Sequence, residues 1–350
     1  SFELDSDFTF SVSYDAFPVF ELPSLDGIEI EIPAVAITQE DIDRELEDIR
    51  QRNAIVVEKD GPSEIGDIVI ASFVELAEDG SEISGTSRQD FSFELGKNLN
   101  IYKFDDEIVG LKAGDEKTIV KTFPDDFEYP EYAGKTVTIK VSVSKVKHQD
   151  LPDLDDELAQ DVSEKYKTLD DLKEAVRAHL TENLQTRLRK AKEHAIMDEL
   201  LKKTKISIPR SMLATEIAMR WESLKQQMGV DSEEHLEMLL EMSGKTREQI
   251  YNEWGPLAEK ALATNILLDK LIEAGSYTST DEEVDAEIAK EASHSTMSPA
   301  EIKTEYEKHG TIKYIKEDIA IRKFFDDILS STTVKESGQM SYLDFMKKND

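Results

Sequence analysis

Residue types that usually carry covalent or acid–base chemistry are absent from this sequence or too scattered to act together. There is no cysteine, so neither a thiolate nucleophile nor a disulfide can operate. The six histidines, His148, His179, His194, His235, His294 and His309, form no H-x-x-x-H pair. No G-x-S-x-G, P-loop or G-x-G-x-x-G stretch occurs, which removes the nucleophile elbow and the phosphate cradle. Carboxylates are so abundant that two of them close in sequence carry no information. What remains is apolar: aromatic residues between Gly66 and Val146 spaced to line a pocket, and methionines between Met197 and Met242. Such residues call for no cofactor and no metal.

The aromatic residues need strands to position them. Ile68 to Phe73 is an apolar run that suits a strand covered on both faces. Asp79-Gly80 marks a hairpin turn, because Gly accepts the positive φ such turns demand. Phe91, Phe93 and Leu95 recur with period two and stop at Gly96. Phe104 and Ile108, four apart before Gly110, predict a short helix pressing one face on the sheet. Val137, Ile139, Val141 and Val143 alternate with polar residues as a half-buried strand. Upstream, Phe8, Phe10, Val12 and Tyr14 alternate until Pro18, and Ile28, Ile30 and Ile32 repeat the pattern before Pro33. Thr38 with Asp41 then caps a helix bearing Ile42, Leu46 and Ile49.

After His148 the period becomes helical. Thr168 caps a helix with Leu169, Leu172, Val176, Leu180, Leu184 and Leu188 on one face, reaching about Leu201 before Pro209. A second carries Leu213, Ile217, Trp221, Leu224 and Met228 and ends at Gly229. Thr246 with Gln249 opens a third, which Gly255-Pro256 is expected to kink or divide before Gly275. Thr280 with Glu283, and Ser298 with Pro299 and Glu301, start two short helices, and a last one runs through Ile315, Ile319, Phe324 and Ile328. Tyr342 to Met346 is apolar between polar neighbours and can dock or stay loose. Helices this long, broken at Pro and Gly, can extend as arms with concave apolar surface between them.

A chain of 350 residues, 39% hydrophobic and 33% charged, is globular and too long for one ordinary core. Its formal net charge of −33 repels nucleic acid and anionic lipid, so neither is an expected direct partner. No apolar run approaches the ~18 residues of a membrane span, and no basic start followed by an apolar stretch marks a signal peptide. Absence of cysteine suits a reducing cytoplasm. Ser1 in place of Met is read as a start inside a longer gene product.

The order G-D-x-V at Gly66, D-G at Asp79, F-x-F-x-L-G at Phe91, V-G-L-K-A-G-D-E at Val109, F-P at Phe123 and A-G-K at Ala133 resembles an FKBP-type peptidyl-prolyl isomerase domain. Together with F-x-F-x-V-x-Y at Phe8, L-D-G-I-E-I-E-I-P at Leu25 and L-P-D-L at Leu151, it is similar to the bacterial trigger factor family over essentially the whole chain. The resemblance implies an α+β multidomain protein. Residues 1–54 would be a strand and linker-helix arm packing toward the C-terminal domain, 55–148 an FKBP-like bent antiparallel sheet with a short helix, and 149–350 an all-helical chaperone domain. The family's basic G-F-R-x-G-K-type docking signature is missing, so the N-terminal ribosome-binding domain is expected to be lacking, and ribosome contact with it.

Prolyl isomerisation crosses a barrier of roughly 18–20 kcal/mol set by amide resonance. A dry aromatic cup that binds the twisted amide better than the planar one lowers it without acid, base or nucleophile. Carried over residue by residue, the resemblance makes Phe73 and Phe91 the side walls, Ile101 the neighbour of the substrate carbonyl and Phe104 the floor. Ile83, Phe127 and Ile139 stand where the family usually has an aromatic, a tyrosine and another aromatic, and Ile101-Tyr102-Lys103-Phe104 replaces an I-P-G-F type turn. The cup is therefore expected to be partly degraded. The helical region offers a second surface, since Met197, Met212, Met219, Met228, Met238 and Met242 are six of the nine methionines, and with Trp221 they suit varied apolar partners. The leading expectation is an ATP-independent chaperone for unfolded and nascent polypeptides. An FKBP-type isomerase with a helical substrate-delivery region and a non-catalytic adaptor remain alternatives, and the sequence leaves a homodimer open.

Overall fold

Apolar alternation and reciprocal helix caps set the elements of this protein, whose computed structural model describes residues 14–293 and 295–348. In chain order these are β1 (Glu29–Ala34), α1 (Gln39–Arg52), β2 (Ile55–Glu58), β3 (Ile68–Leu76), β4 (Arg88–Glu94) and α2 (Asp105–Ile108). Next come β5 (Glu116–Thr122), β6 (Thr136–Asp150), α3 (Asp156–Val162), α4 (Leu169–Lys202), α5 (Arg210–Gln227) and α6 (Glu233–Met242). The last are α7 (Arg247–Gly275), α8 (Asp281–Ala292), α9 (Pro299–His309), α10 (Thr311–Ser331), β7 (Thr333–Gln339) and α11 (Tyr342–Lys348). Of the strand expected over Phe8 to Tyr14, Phe8, Phe10 and Val12 lie outside the described residues, and Tyr14 is exposed and in no strand.

Two compact units divide the chain, one from Ile37 to Glu182 and the other combining residues up to Ala36 with those from Asn183 onward. The middle unit is built on an antiparallel sheet of order β2-β6-β3-β4, with β5 also paired to β6. β6 fills both edges: β3 runs along one, and β5 and then β2 follow one another along the other. Opposite Ile70 and Ala71 of β3 the register slips past Ser144. The extra residue explains why the buried side chains of β6 change parity, from Ile139, Val141 and Val143 to Val146. A second slip, between Ala71 and Phe73 against β4, bends the same strand again. α2 then presses Ile108, fully buried, into the core on this sheet.

The other unit is mainly helical. β1 pairs in parallel with β7, Ile30 opposite Val334, and turns Ile28, Ile30 and Ile32 into a core with Leu200, Leu271 and Phe324. Two smaller clusters follow: Trp221, Leu236 and Ile250 join α5, α6 and α7, while Val284, Ile302 and Ile319 join α8, α9 and α10. Capping boxes open α1, α7, α8 and α9 at Thr38, Thr246, Thr280 and Ser298, and Thr168 and Asp171 bond reciprocally at the start of α4. Pro256 does not divide α7, which runs unbroken from Arg247 to Gly275. The residue preceding it is Gly255, whose missing Cβ removes the clash that normally drives a pre-proline residue out of helical φ/ψ. In α11, Tyr342 and Phe345 are buried.

Both tryptophans, Trp221 and Trp254, belong to the cluster that α7 closes, so their fluorescence reports on it. Thr246→Ala should remove the cap bond to Gln249 and lower the stability of this cluster by about 0.5–2 kcal/mol in urea unfolding followed at tryptophan.

Candidate functional site

β3 and β4 deliver Phe73, Phe91 and Phe93, β6 delivers Ile139 and Val141, and the turn before α2 delivers Ile101 and Phe104. These side chains meet in one cluster, with Phe127 packed against its border. Phe73 stands edge-on to Phe91 at 5.8 Å and to Phe104 at 5.3 Å between ring centroids, and Phe93 meets Phe104 edge-on at 5.9 Å. Such edge-to-face contacts fix the rings relative to one another beyond simple burial. Phe127 lies 4.4 Å from Phe123 and carries the Lys103 ammonium 5.4 Å over its ring. Ile83 is not brought into this group; it is 39% exposed in the loop after the Asp79-Gly80 turn, tied back through its backbone N–H to the Glu75 carbonyl. The hairpin loop there carries it away from the sheet face that holds the rings.

A polar layer that the sequence did not reveal lies against the rings. Tyr102 is 1% exposed, stacked near-parallel to Phe104 at 6.3 Å and edge-on to Phe73 at 5.7 Å. Its hydroxyl donates to Glu75 Oε1 at 2.8 Å, and the Tyr132 hydroxyl donates to the same oxygen at 2.9 Å. Glu75 is itself buried on β3, two residues from Phe73 and on the same face. Burial, followed by the Tyr132 hydroxyl and the Glu75 carboxylate, raises the Tyr102 phenol far above its usual value, and burial likewise raises Tyr132. At the base of the turn, fully buried Asp105 accepts from the Gly96 and Asn98 N–H groups at 2.8 Å each and from the Asn100 amide at 2.5 Å, while Asn100 Oδ1 accepts the Phe104 N–H. The signal for this network was the N-x-x-x-x-D spacing of Asn100 and Asp105, with a tyrosine in place of the turn's proline.

The helical candidates divide. Met219, Met228, Met238 and Met242 are exposed, Met242 by 79%, and half-buried Met212 joins Met219 and Leu262 along a groove of about 310 Å³. Met197 is buried in the core beside β1. Trp221 is not a surface residue: it is 2% exposed, with the Arg247 guanidinium 4.7 Å over its ring and its indole N–H bonded to Glu233. Its position on the inner stripe of α5 aims it at Leu236 and Ile250 rather than at solvent. Among the described residues no group of His, Asp and Glu could hold a metal ion, and no helix is long and apolar enough to cross a membrane.

Residues 59–144 match the family model described as FKBP-type peptidyl-prolyl cis-trans isomerase, and residues 168–330 match the bacterial trigger factor C-terminus. Trigger factor from Treponema denticola is 34% identical over 347 residues, spanning 99% of this chain and 77% of that protein. The chain belongs to the trigger factor family. Trigger factors from Borrelia turicatae (32% identity; 98% of this chain, 76% of the relative) and Shouchella clausii (34%; 90% and 72%) agree. It is thus a chaperone of the trigger factor type with an FKBP-type isomerase domain. One expectation is corrected here. The bacterial trigger factor model for the N-terminal region matches residues 1–49, so the reading that the N-terminal domain is lacking is not supported. Absence of one basic docking signature was too narrow a ground for it.

The raised tyrosines give a pH dependence of definite sign. Their contribution to folding is complete below the ordinary phenol value of about 10 and is lost as pH climbs through the raised values. In a tyrosinate absorbance titration, Tyr102→Phe should remove amplitude from the late, high-pH limb and leave the limb near pH ~10 intact. Loss from the earlier limb would mean that Tyr102 ionises as an exposed phenol.

Proposed function

We propose that this trigger factor holds unfolded and nascent polypeptides, without ATP, through exposed methionines of its helical region, and that its FKBP-type cup is a weak isomerase. The carrying observation is that Met219, Met228, Met238 and Met242 stay at the surface of α5 and α6 while the rings of the cup are packed on one another. Methionine side chains are unbranched and polarisable, so such a surface fits many apolar segments without choosing a sequence. With no nucleotide to drive release, binding has to be weak and quickly reversible.

In this reading residues 55–148 are the isomerase domain, 149–350 the chaperone domain and 1–54 a strand and linker-helix arm packing toward the C-terminal domain. Phe73, Phe91, Ile101, Phe104, Phe127 and Ile139 form the prolyl cup, and Ile83, in the hairpin loop, is left out of it. Any ribosome contact is assigned to the N-terminal region that residues 1–49 represent. The cytoplasm suits a chain without cysteine, and a homodimer is compatible with the reading but not required by it. The non-catalytic adaptor stays in play on one observation, the burial of Phe104, which leaves the floor of the cup covered.

Refolding of an aggregation-prone reporter with a proline-limited slow phase separates these roles. Aggregation should fall as the protein approaches equal dose, while the slow phase changes little at trace dose. Met219→Ser with Met242→Ser should then raise the dose needed by several-fold. A reporter that aggregates undiminished at excess would overturn the holding role, and an order-of-magnitude faster slow phase at trace dose would make the protein an efficient isomerase.

A further inference from the structure

The floor of a prolyl cup has to be reachable by the ring it receives, yet Phe104 is fully buried. Phe73 and Phe93 meet it edge-on at 5.3 and 5.9 Å, and Tyr102 adds a third ring at 6.3 Å. The Tyr102 ring lies near-parallel to Phe104, 15° between planes, and is bounded by Phe73 at 5.7 Å and Tyr132 at 5.3 Å. A flat ring beside the floor, offset from it and bounded by Phe73 and Tyr132, stands among the aromatic residues that a prolyl ring would have to reach. We propose that Tyr102 is a built-in occupant of the cup and that its side chain, at the tip of the turn 98–104, gates it, admitting a prolyl peptide only when Tyr102 swings out.

The fastening of this turn supports a gate rather than a permanent plug. Its base is tied by several bonds to the buried Asp105 and Asn100. Its tip is held by the Tyr102 hydroxyl on Glu75, by Lys121 on the Lys103 carbonyl and by the Lys103–Glu128 ion pair at 2.8 Å, the last two partly open to water. Asn98 and Lys103, at its two ends, have φ of +51° and +49° without being glycine. Asn takes such a conformation readily, but at Lys103, next to Tyr102, left-handed backbone is disfavoured. Glu75 serves as the catch, because one oxygen receives both tyrosine hydroxyls. The site competes with its own chain, so the apparent affinity for peptide is scaled by the open fraction.

This inference rests on the reading of the cup as a prolyl site, and the experiment keeps the two apart. With the full chain, isomerisation of a tetrapeptide anilide holding a Leu-Pro bond is measured alongside peptide-induced shifts of the Phe104 ring resonances. Tyr102→Ala should raise kcat/KM about tenfold or more, and Tyr102→Phe, which keeps the ring but loses the bond to Glu75, several-fold. The gain should appear as a lower KM with kcat nearly unchanged, a split that a merely structural role would not produce. If thermal unfolding shows that Tyr102→Ala has lost its fold, Tyr102→Phe decides. Native and variant chains that bind and turn over the peptide equally would overturn the gate and leave the prolyl reading standing. Folded variants with neither activity nor Phe104 shifts would overturn both.

Discussion

β6 is the strand on which the middle unit depends, because both of its edges are occupied and nothing else joins β3, β5 and β2. A strand paired on both sides tolerates no slip, since one residue of offset would turn every apolar side chain to the wrong face. The bulge at Ser144 is the permitted exception: it resets the parity once, so that Val143 and Val146 both remain inside while the strand bends. Ile139 and Val141 come from the stretch before that bend, and they set the depth at which Phe73 and Phe104 can pack. The aromatic cup is in this sense a by-product of sheet curvature, and it takes its shape from backbone register before any side chain is chosen.

Much of this was legible in the sequence because the signals were local. Thr38, Thr246, Thr280 and Ser298 each carry their partner three residues on, so the caps could be read without knowledge of the fold. Period-two runs located β1, β4 and the first half of β6, and a continuous apolar run located β3, for the same reason. β7 was invisible. Its sequence T-V-K-E-S-G-Q has no alternation and stays exposed throughout, and it is a strand only because β1 offers it an edge. α6 was passed over because E-E-H-L-E-M-L-L-E-M is too short to show several turns of periodicity.

The cup was legible by residue type and not by occupancy. Phe73, Phe91, Phe104 and Ile139, which the family resemblance named, lie in one buried cluster, but Trp221 and Ile83 show the limit of assigning a side chain to a surface or a pocket from its type. Trp221 is large enough that a cluster of few residues closes around it, and Ile83 belongs to a hairpin loop whose path the sequence does not fix. Tyr102 was noticed only as a departure from a turn. Its orientation follows from Glu75 and Tyr132, residues 27 positions before and 30 after it, and no local pattern connects those three.

The parallel pairing of β1 with β7 has a consequence for the order of assembly during synthesis. Ile30 waits for Val334, so the edge of β1 stays unpaired while some three hundred intervening residues are made. All residues of the middle unit, by contrast, have left the synthetic machinery once Glu182 has followed Ile37 out. Its sheet can therefore close while the hydrophobic stripe of Ile28, Ile30 and Ile32 is still without its core. Under the proposed holding role, a protein that shelters the incomplete chains of others passes through a long interval in which its own first strand is such a chain.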